Sequence, residues 1–322
     1  MDSTRPLMGA HFRFRSDSKA LLDVVDMAYA GLPAHLFARE GPELEVELRL
    51  LPGDVDVGDT LVAEEPPSVR TRLGERIVYG VMDARNYVLV SPQVRRARVV
   101  ASDRMLDRPY HLRYELIEFA VFLLAARCQG LVPLHAACLG RDGRGVLVLG
   151  ASGAGKSTLA LHALAAGLEL LSEDAVFVHP VGMVATGIAN YLHVHADALE
   201  RIDDEATRAW IESSPVIRRR SGVRKHEADL RRAPAPLRTA ATPLRLVATV
   251  ILSTEPAEDP AALLEPMPGR DALAFLDTDQ DYARTQPGWD LFARWIASSP
   301  VYRLRRGRHP GDSVDAVRPL LD

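Results

Sequence analysis

One segment constrains this chain more than any other: Gly150-Ala151-Ser152-Gly153-Ala154-Gly155-Lys156-Ser157. The run Val146 to Leu149 before it is short and wholly apolar, as a strand buried on both faces of a parallel sheet must be. After it, Ser157 to about Ala166 reads as a helix that Gly167 stops. A buried strand, a glycine turn and a helix in that order belong to an α/β layer architecture.

Glycines let a backbone turn tightly, so successive N–H groups point into one concavity at a helix N-terminus, where phosphate oxygens are held. Lys156 should then reach the β- and γ-phosphates of a nucleotide, and the Ser157 hydroxyl should ligate Mg²⁺, with Thr158 as the second choice. The pattern of Gly, four residues and Gly-Lys-Ser arises by chance in such a chain on the order of 1 per cent of the time. The alternative is a glycine-rich turn with an incidental lysine. Gly150 through Thr158 is therefore read as a site for ATP with Mg²⁺.

The remaining pattern divides the chain. Residues 11–110 read as strands with one helix: Ser18 to Ala30 carries Leu21, Val24, Val25 and Ala28 at helical spacing, with Ser16 or Asp17 as cap. Leu44 to Leu51, Ile77 to Met82, Tyr87 to Val90 and Ala97 to Ala101 read as short strands, with acidic, proline-bearing loops at 52–67. A helix over Leu112 to Cys128 ends at Gly130 and Pro133. Beyond it the expected strands are Leu134 to Leu139, Val146 to Leu149, one around Glu173-Asp174, Leu244 to Leu252 and Val301 to Leu304. The sequence thus predicts an α+β N-terminal domain over 1–128 and an α/β domain over 129–322.

Glu173 and Asp174 stand between Leu170-Leu171 and Ala175-Val176-Phe177-Val178. Charges inside an apolar run are costly unless they are paired or bind metal. They precede the usual position of a metal-binding strand end, and Val247 to Leu252, better placed, ends in Ser253 and Thr254. A strand-end turn with solvated carboxylates is the bland alternative. His135 lies on the strand before the phosphate-loop strand; taken alone, such a histidine is more often a packed core residue.

These strings together resemble the C-terminal catalytic domain of bacterial HPr kinase/phosphorylase and its related kinases: Leu134-His135-Ala136-Ala137, Gly143 to Leu149, the loop, and Leu170-Leu171-Ser172-Glu173-Asp174. The resemblance covers roughly 130–180 and fades beyond, with a weaker likeness at Pro300 to Leu304. It implies a P-loop kinase of phosphoenolpyruvate-carboxykinase-like architecture that moves the γ-phosphoryl of ATP to a serine hydroxyl. By that resemblance Asp174 takes the place of the general base, His135 that of the histidine assisting it, and Glu173 the metal-associated position, as Glu where the family has Asp. Lys156 and Ser157 match the lysine and magnesium ligand. Residues 1–125 match no motif of the family's N-terminal domain, so the acceptor implied is a hydroxyl of a peptide, protein or small molecule rather than HPr. The N-terminal half is the natural candidate to present it.

The stretch Arg218 to His226 is basic within a chain of net charge -4. It reads either as a solvated loop or as a mobile lid that brings a cation to the transferring phosphoryl, with Arg224 and Lys225 as candidates. Lysine is rare here, with only Lys19, Lys156 and Lys225, which favours Lys225. No aromatic residues interleave with these charges, which argues against nucleic acid, as does the overall charge. His193 and His195 share a strand face without a third ligand and read as surface or substrate-pocket residues.

Leu116 to Leu134 is the most apolar stretch, but Glu118, Arg127 and Gln129 interrupt it, so a buried helix is expected rather than a membrane span. Two cysteines without zinc spacing and an N-terminus without an apolar run fit a reducing cytoplasm. Three functions remain: a kinase, an NTPase switch, and a nucleotide-binding regulator without turnover. Only the first needs an acceptor-side base, and no Gln or Glu that would position water for the second is evident. The oligomeric state, a homo-oligomer included, is left open.

Overall fold

The computed structural model describes residues 1–38, 40–52, 66–74, 76–234, 237–259 and 261–322. Most of the loop expected at 52–67 lies outside the described residues. The chain forms two compact units: Met1–Gly31 with Leu36–Gln129, and Leu32–His35 with Gly130–Asp322.

The first unit is built on a seven-stranded sheet ordered β1-β2-β3-β7-β6-β5-β4. Its strands are β1 (Asp2–Leu7), β2 (Ala10–Ser16), β3 (Glu43–Leu51), β4 (Arg70–Leu73), β5 (Val78–Val81), β6 (Tyr87–Ser91) and β7 (Arg96–Ser102). Alternation decides the faces. Phe12 and Phe14 of β2, Val46 and Leu48 of β3 and Val99 of β7 are buried, because α1 (Lys19–Tyr29) and the long helical segment after β7 pack on the sheet. That segment is α2 (Pro109–His111), a π-helical turn at Leu112–Ile117, and α3 (Glu118–Gln129). The opposite face is charged, as in the 2.7 Å Arg98–Glu47 pair. Such exposed pairs contribute about 0–1 kcal/mol each. Ser18, not Ser16 or Asp17, caps α1, its hydroxyl accepting from the Leu21 N–H. Ser16 instead donates to the Leu48 carbonyl within the sheet.

The second unit centres on a ten-stranded mixed sheet. Its strands are β8 (Val132–His135), β9 (Ala137–Arg141), β10 (Arg144–Leu149), β11 (Glu169–Ser172), β12 (Ala175–His179) and β13 (Val184–Gly187). A smaller sheet, in the order β14-β16-β15, follows: β14 (Tyr191–Val194), β15 (Val216–Arg218) and β16 (Arg224–Asp229). The main sheet is completed by β17 (Arg238–Thr239), β18 (Leu244–Pro256), β19 (Leu264–Pro266) and β20 (Val301–Arg306). The helices are α4 (Lys156–Ala165), α5 (Ala196–Leu199), α6 (Glu205–Glu212), α7 (Gly269–Asp279), α8 (Asp281–Arg284), α9 (Trp289–Ser298) and α10 (Pro310–Val317).

β10 runs parallel to β18 and β18 parallel to β20, so β10 is buried on both faces. Val146 and Val148 pack into the cluster of Leu159, Ala160 and Ala163 from α4 and Val314 from α10. Leu147 and Leu149 pack into the other, with Leu276 of α7 and Phe292 and Ile296 of α9. Burying each such side chain stabilises the fold by about 1.5–3 kcal/mol. Helices on both faces of the central strands hold the end of β10, and so the glycine loop that follows it, in place. Among the described residues, no helix is long and apolar enough to cross a membrane.

Two expected strands are broken. The run 134–139 divides at Ala136: β8 pairs with β12, whereas β9 pairs with β10 and β11. The run around the acidic pair divides too, β11 beside β9 and β12 beside β8. Glu173 and Asp174 therefore occupy a bend where the chain changes neighbours. The two breaks lie side by side, since the Ala136 N–H donates to the Asp174 carbonyl at 3.2 Å. A Cβ on Gly187 would lie 2.6 Å from the Ser172 Cβ and 3.1 Å from the Ala175 oxygen, so glycine lets β13 approach this bend.

Candidate active site

The loop leaves β10 at Gly150 and enters α4 at Lys156, with Gly153 and Gly155 at φ +82° and +105°. Those values are strained for any residue with a Cβ, which is why glycines stand there. Lys156 is 7% exposed. Its ammonium donates to the Gly150 carbonyl at 2.5 Å, folding back over the loop. Burial lowers its pKa, partly offset by Asp174 and Asp279.

From the first turn of α4, Ser157 Oγ donates to Glu173 Oε1 at 2.5 Å. The other oxygen of Glu173 accepts from the His193 backbone N–H at 2.7 Å, with the His193 ring Nδ1 at 3.3 Å. His193 Nε2 lies 3.1 Å from Glu227 Oε1 of β16. Burial pushes the Glu173 carboxyl up, but the His193 charge and hydrogen bonds outweigh it and leave the group below the usual range. Burial pushes His193 down, and Glu173 and Glu227 outweigh it and raise it. His193 is therefore a buried bridge between two carboxylates, which excludes the surface position, one of the two expected for it. Its partner His195 lies beyond the end of β14, is exposed, and caps α5.

Asp174 is one-quarter exposed at the mouth of the bend. Its Oδ1 lies 3.0 Å from His135 Nε2, and its Oδ2 lies 3.3 Å from Arg219 Nη1. Pairing of β8 with β12 sets His135 opposite Ala175, one residue past Asp174. Gln280 holds the other side of this strand end: its Oε1 accepts from the His135 N–H at 2.8 Å and its Nε2 donates to the His135 carbonyl at 3.3 Å.

The basic stretch forms the β15–β16 hairpin, with 219–223 as its connecting turn, closed by hydrogen bonds from the Arg219 N–H to the Val223 carbonyl and from the Gly222 N–H to the Arg219 carbonyl. Strand alternation places Lys225 on the face of Glu227 and Arg224 on the other. Lys225 is half-buried, its pKa lowered by burial and partly restored by Glu173. Arg224 is exposed and pairs in register with Arg218. The arginine brought to Asp174 is Arg219, at the start of the turn.

Among the described residues no group of three or more His, Cys, Asp or Glu side chains could hold a metal ion. A magnesium site that shares its ligands with phosphate and water needs fewer protein oxygens, and Ser157 and Glu173 supply hard donors of that kind.

Sequence reasoning missed Arg219, Glu227 and Gln280. Only Arg219 left a trace, as one of several arginines in the basic run.

Neither a family model nor a curated protein matches the chain. Among solved structures, the HPr(Ser) kinase/phosphatase from Coxiella burnetii matches at 16% identity and a TM-score of 0.27, over 58% of this chain and 94% of that chain. A likeness of that size carries no argument about function.

Proposed function

We propose that the second unit is an ATP- and Mg²⁺-dependent phosphotransferase acting on a hydroxyl of a peptide, protein or small molecule, with Asp174 as general base. The observation carrying this reading is the pairing of Asp174 with both His135 and Arg219 beside a phosphate loop. A loop alone supports binding; a carboxylate held by a histidine at its mouth adds a group able to take a proton.

In this reading the acceptor oxygen bonds to the γ-phosphorus, its proton passes to Asp174, and the bond to the β–γ bridging oxygen breaks, leaving ADP. His135 orients the carboxylate. Lys156 leaves the Gly150 carbonyl for the β- and γ-phosphates, and Arg219 turns from Asp174 to the charge developing on the phosphoryl oxygens. Ser157 and Glu173 would hold Mg²⁺, which would neutralise phosphate charge when bound. Lys225, on the Glu173 face, adds positive potential.

The test follows γ-labelled ATP with serine peptides and with small alcohols as acceptors. The proposal expects label on an acceptor with the wild-type chain and none with Lys156→Ala. Label released only as inorganic phosphate would favour the NTPase-switch alternative.

A further inference from the structure

Glu227 and His193 are buried, and the phosphoryl-transfer steps above give them no task. Strand pairing sets them directly opposite each other, His193 on β14 and Glu227 on β16. From there a continuous row of contacts runs to the first turn of α4. Glu227 Oε1 lies 3.1 Å from His193 Nε2. His193 Nδ1 and backbone N–H lie 3.3 and 2.7 Å from Glu173 Oε2, and Glu173 Oε1 accepts from Ser157 Oγ at 2.5 Å. The row thus fixes which oxygen of Glu173 is turned to Ser157. Glu227, His193 and Glu173 are 8%, 6% and 5% exposed, so little water screens them from one another.

An amide at 227 could accept from the same ring nitrogen without the cost of a buried charge. What the carboxylate adds is the charge. Glu173 faces the His193 ring, and Lys225, two residues before Glu227 on the same strand face, also acts on it. Positive groups so close weaken the pull of a single carboxylate on a divalent ion. Glu227 makes the cluster more negative by one unit whether or not the ring carries a proton. Groups that hold a metal ligand in place and set the charge behind it typically change metal affinity about 10–100-fold.

We propose that Glu227 is a positioning residue for the divalent cation: acting through His193, it holds Glu173 in place and keeps the cluster negative enough to draw the ion to Ser157 and Glu173. The proposal rests on the phosphate-loop and Mg²⁺ reading above. Calorimetry on the full chain measures ATP affinity in Mg²⁺ and in EDTA. In the wild-type chain Mg²⁺ is expected to tighten ATP binding at least about tenfold. Glu227→Gln should weaken binding in Mg²⁺ about tenfold or more while affinity in EDTA stays within about threefold of wild type. A smaller loss in Mg²⁺, or an equal fall in both buffers as a merely structural residue would give, would overturn the positioning role alone. Wild-type binding that is equal in both buffers would overturn the Mg²⁺ reading with it, and no binding at all would overturn the phosphate-loop reading too. His193→Gln breaks the same row but keeps the backbone N–H to Glu173, and it reads the same link should Glu227→Gln fail to fold. It should show the same selective loss in Mg²⁺; wild-type dependence on Mg²⁺ in His193→Gln would overturn the proposal.

Discussion

His135 Nε2 and Asp174 Oδ1 lie 3.0 Å apart because two strands break at the same level of one sheet. Had either run continued straight, β8 and β12 would not be neighbours and the two side chains would not meet. The fold spends two interrupted ladders on this contact. The backbone groups freed there are caught by the Ala136 N–H to Asp174 carbonyl bond and by Gln280.

Gln280 should accordingly act as a positioning residue. Gln280→Ala removes the two hydrogen bonds to the His135 backbone and a third from Nε2 to Asp279 Oδ2, each contributing about 0.5–1.5 kcal/mol net, so a loss of about 1.5–4.5 kcal/mol is expected in a denaturant melt. Turnover should fall about tenfold while the KM for ATP stays within about twofold, since the loop is untouched. A larger change in KM than in kcat, measured by steady-state kinetics, would contradict this role.

Two arginines of the hairpin, Arg219 and Arg224, should behave differently. Arg219→Ala is expected to reduce turnover about a hundredfold or more, the cost of losing a donor aimed at developing charge. Arg224→Ala, on the opposite strand face, should change it by no more than about twofold. The reverse order in the same assay would return the site to the lid arrangement that the sequence suggested.

His193 and Glu173 make stability depend on pH in a defined direction. His193 is raised above the usual histidine value of 6.5, so its contribution is full below that value and is lost as pH rises through its folded pKa. Glu173 is lowered below 4.5, so its contribution is present above that value and is lost as pH falls through its folded pKa. The stabilising pair is therefore fully formed between 4.5 and 6.5. In chelator and without nucleotide, the Tm difference between wild type and His193→Gln should be greatest there and shrink towards alkaline pH. A difference that stays constant from this range into alkaline pH would show that the imidazole is not charged in the folded protein.

How much of this was legible in the sequence follows from how locally each feature is encoded. The glycine loop at 150–155 is contiguous with its flanks: an apolar strand, a glycine turn and a helix start, each signalled within a few residues. The strands of the first unit alternate openly, as Phe12 and Phe14 show. The contact of His135 with Asp174 depends on which strands neighbour one another, and no local pattern encodes that; only a resemblance suggested it. Arg219 was hidden because every arginine in a basic run gives the same signal, and the turn alone decides which one faces inward. Gln280 acts through the backbone of a distant residue and leaves no pattern at all. His193 was noticed, but its burial came from Glu227 on a strand whose pairing lies outside any window around it.

The central claim is that Asp174 takes the acceptor's proton. Its most direct test is the single-turnover rate of γ-phosphoryl transfer by Asp174→Asn, with ATP affinity measured on the same protein. The account predicts a rate lower by about 10²–10⁴-fold with ATP affinity within about threefold of wild type. Transfer by Asp174→Asn at the wild-type rate would contradict it.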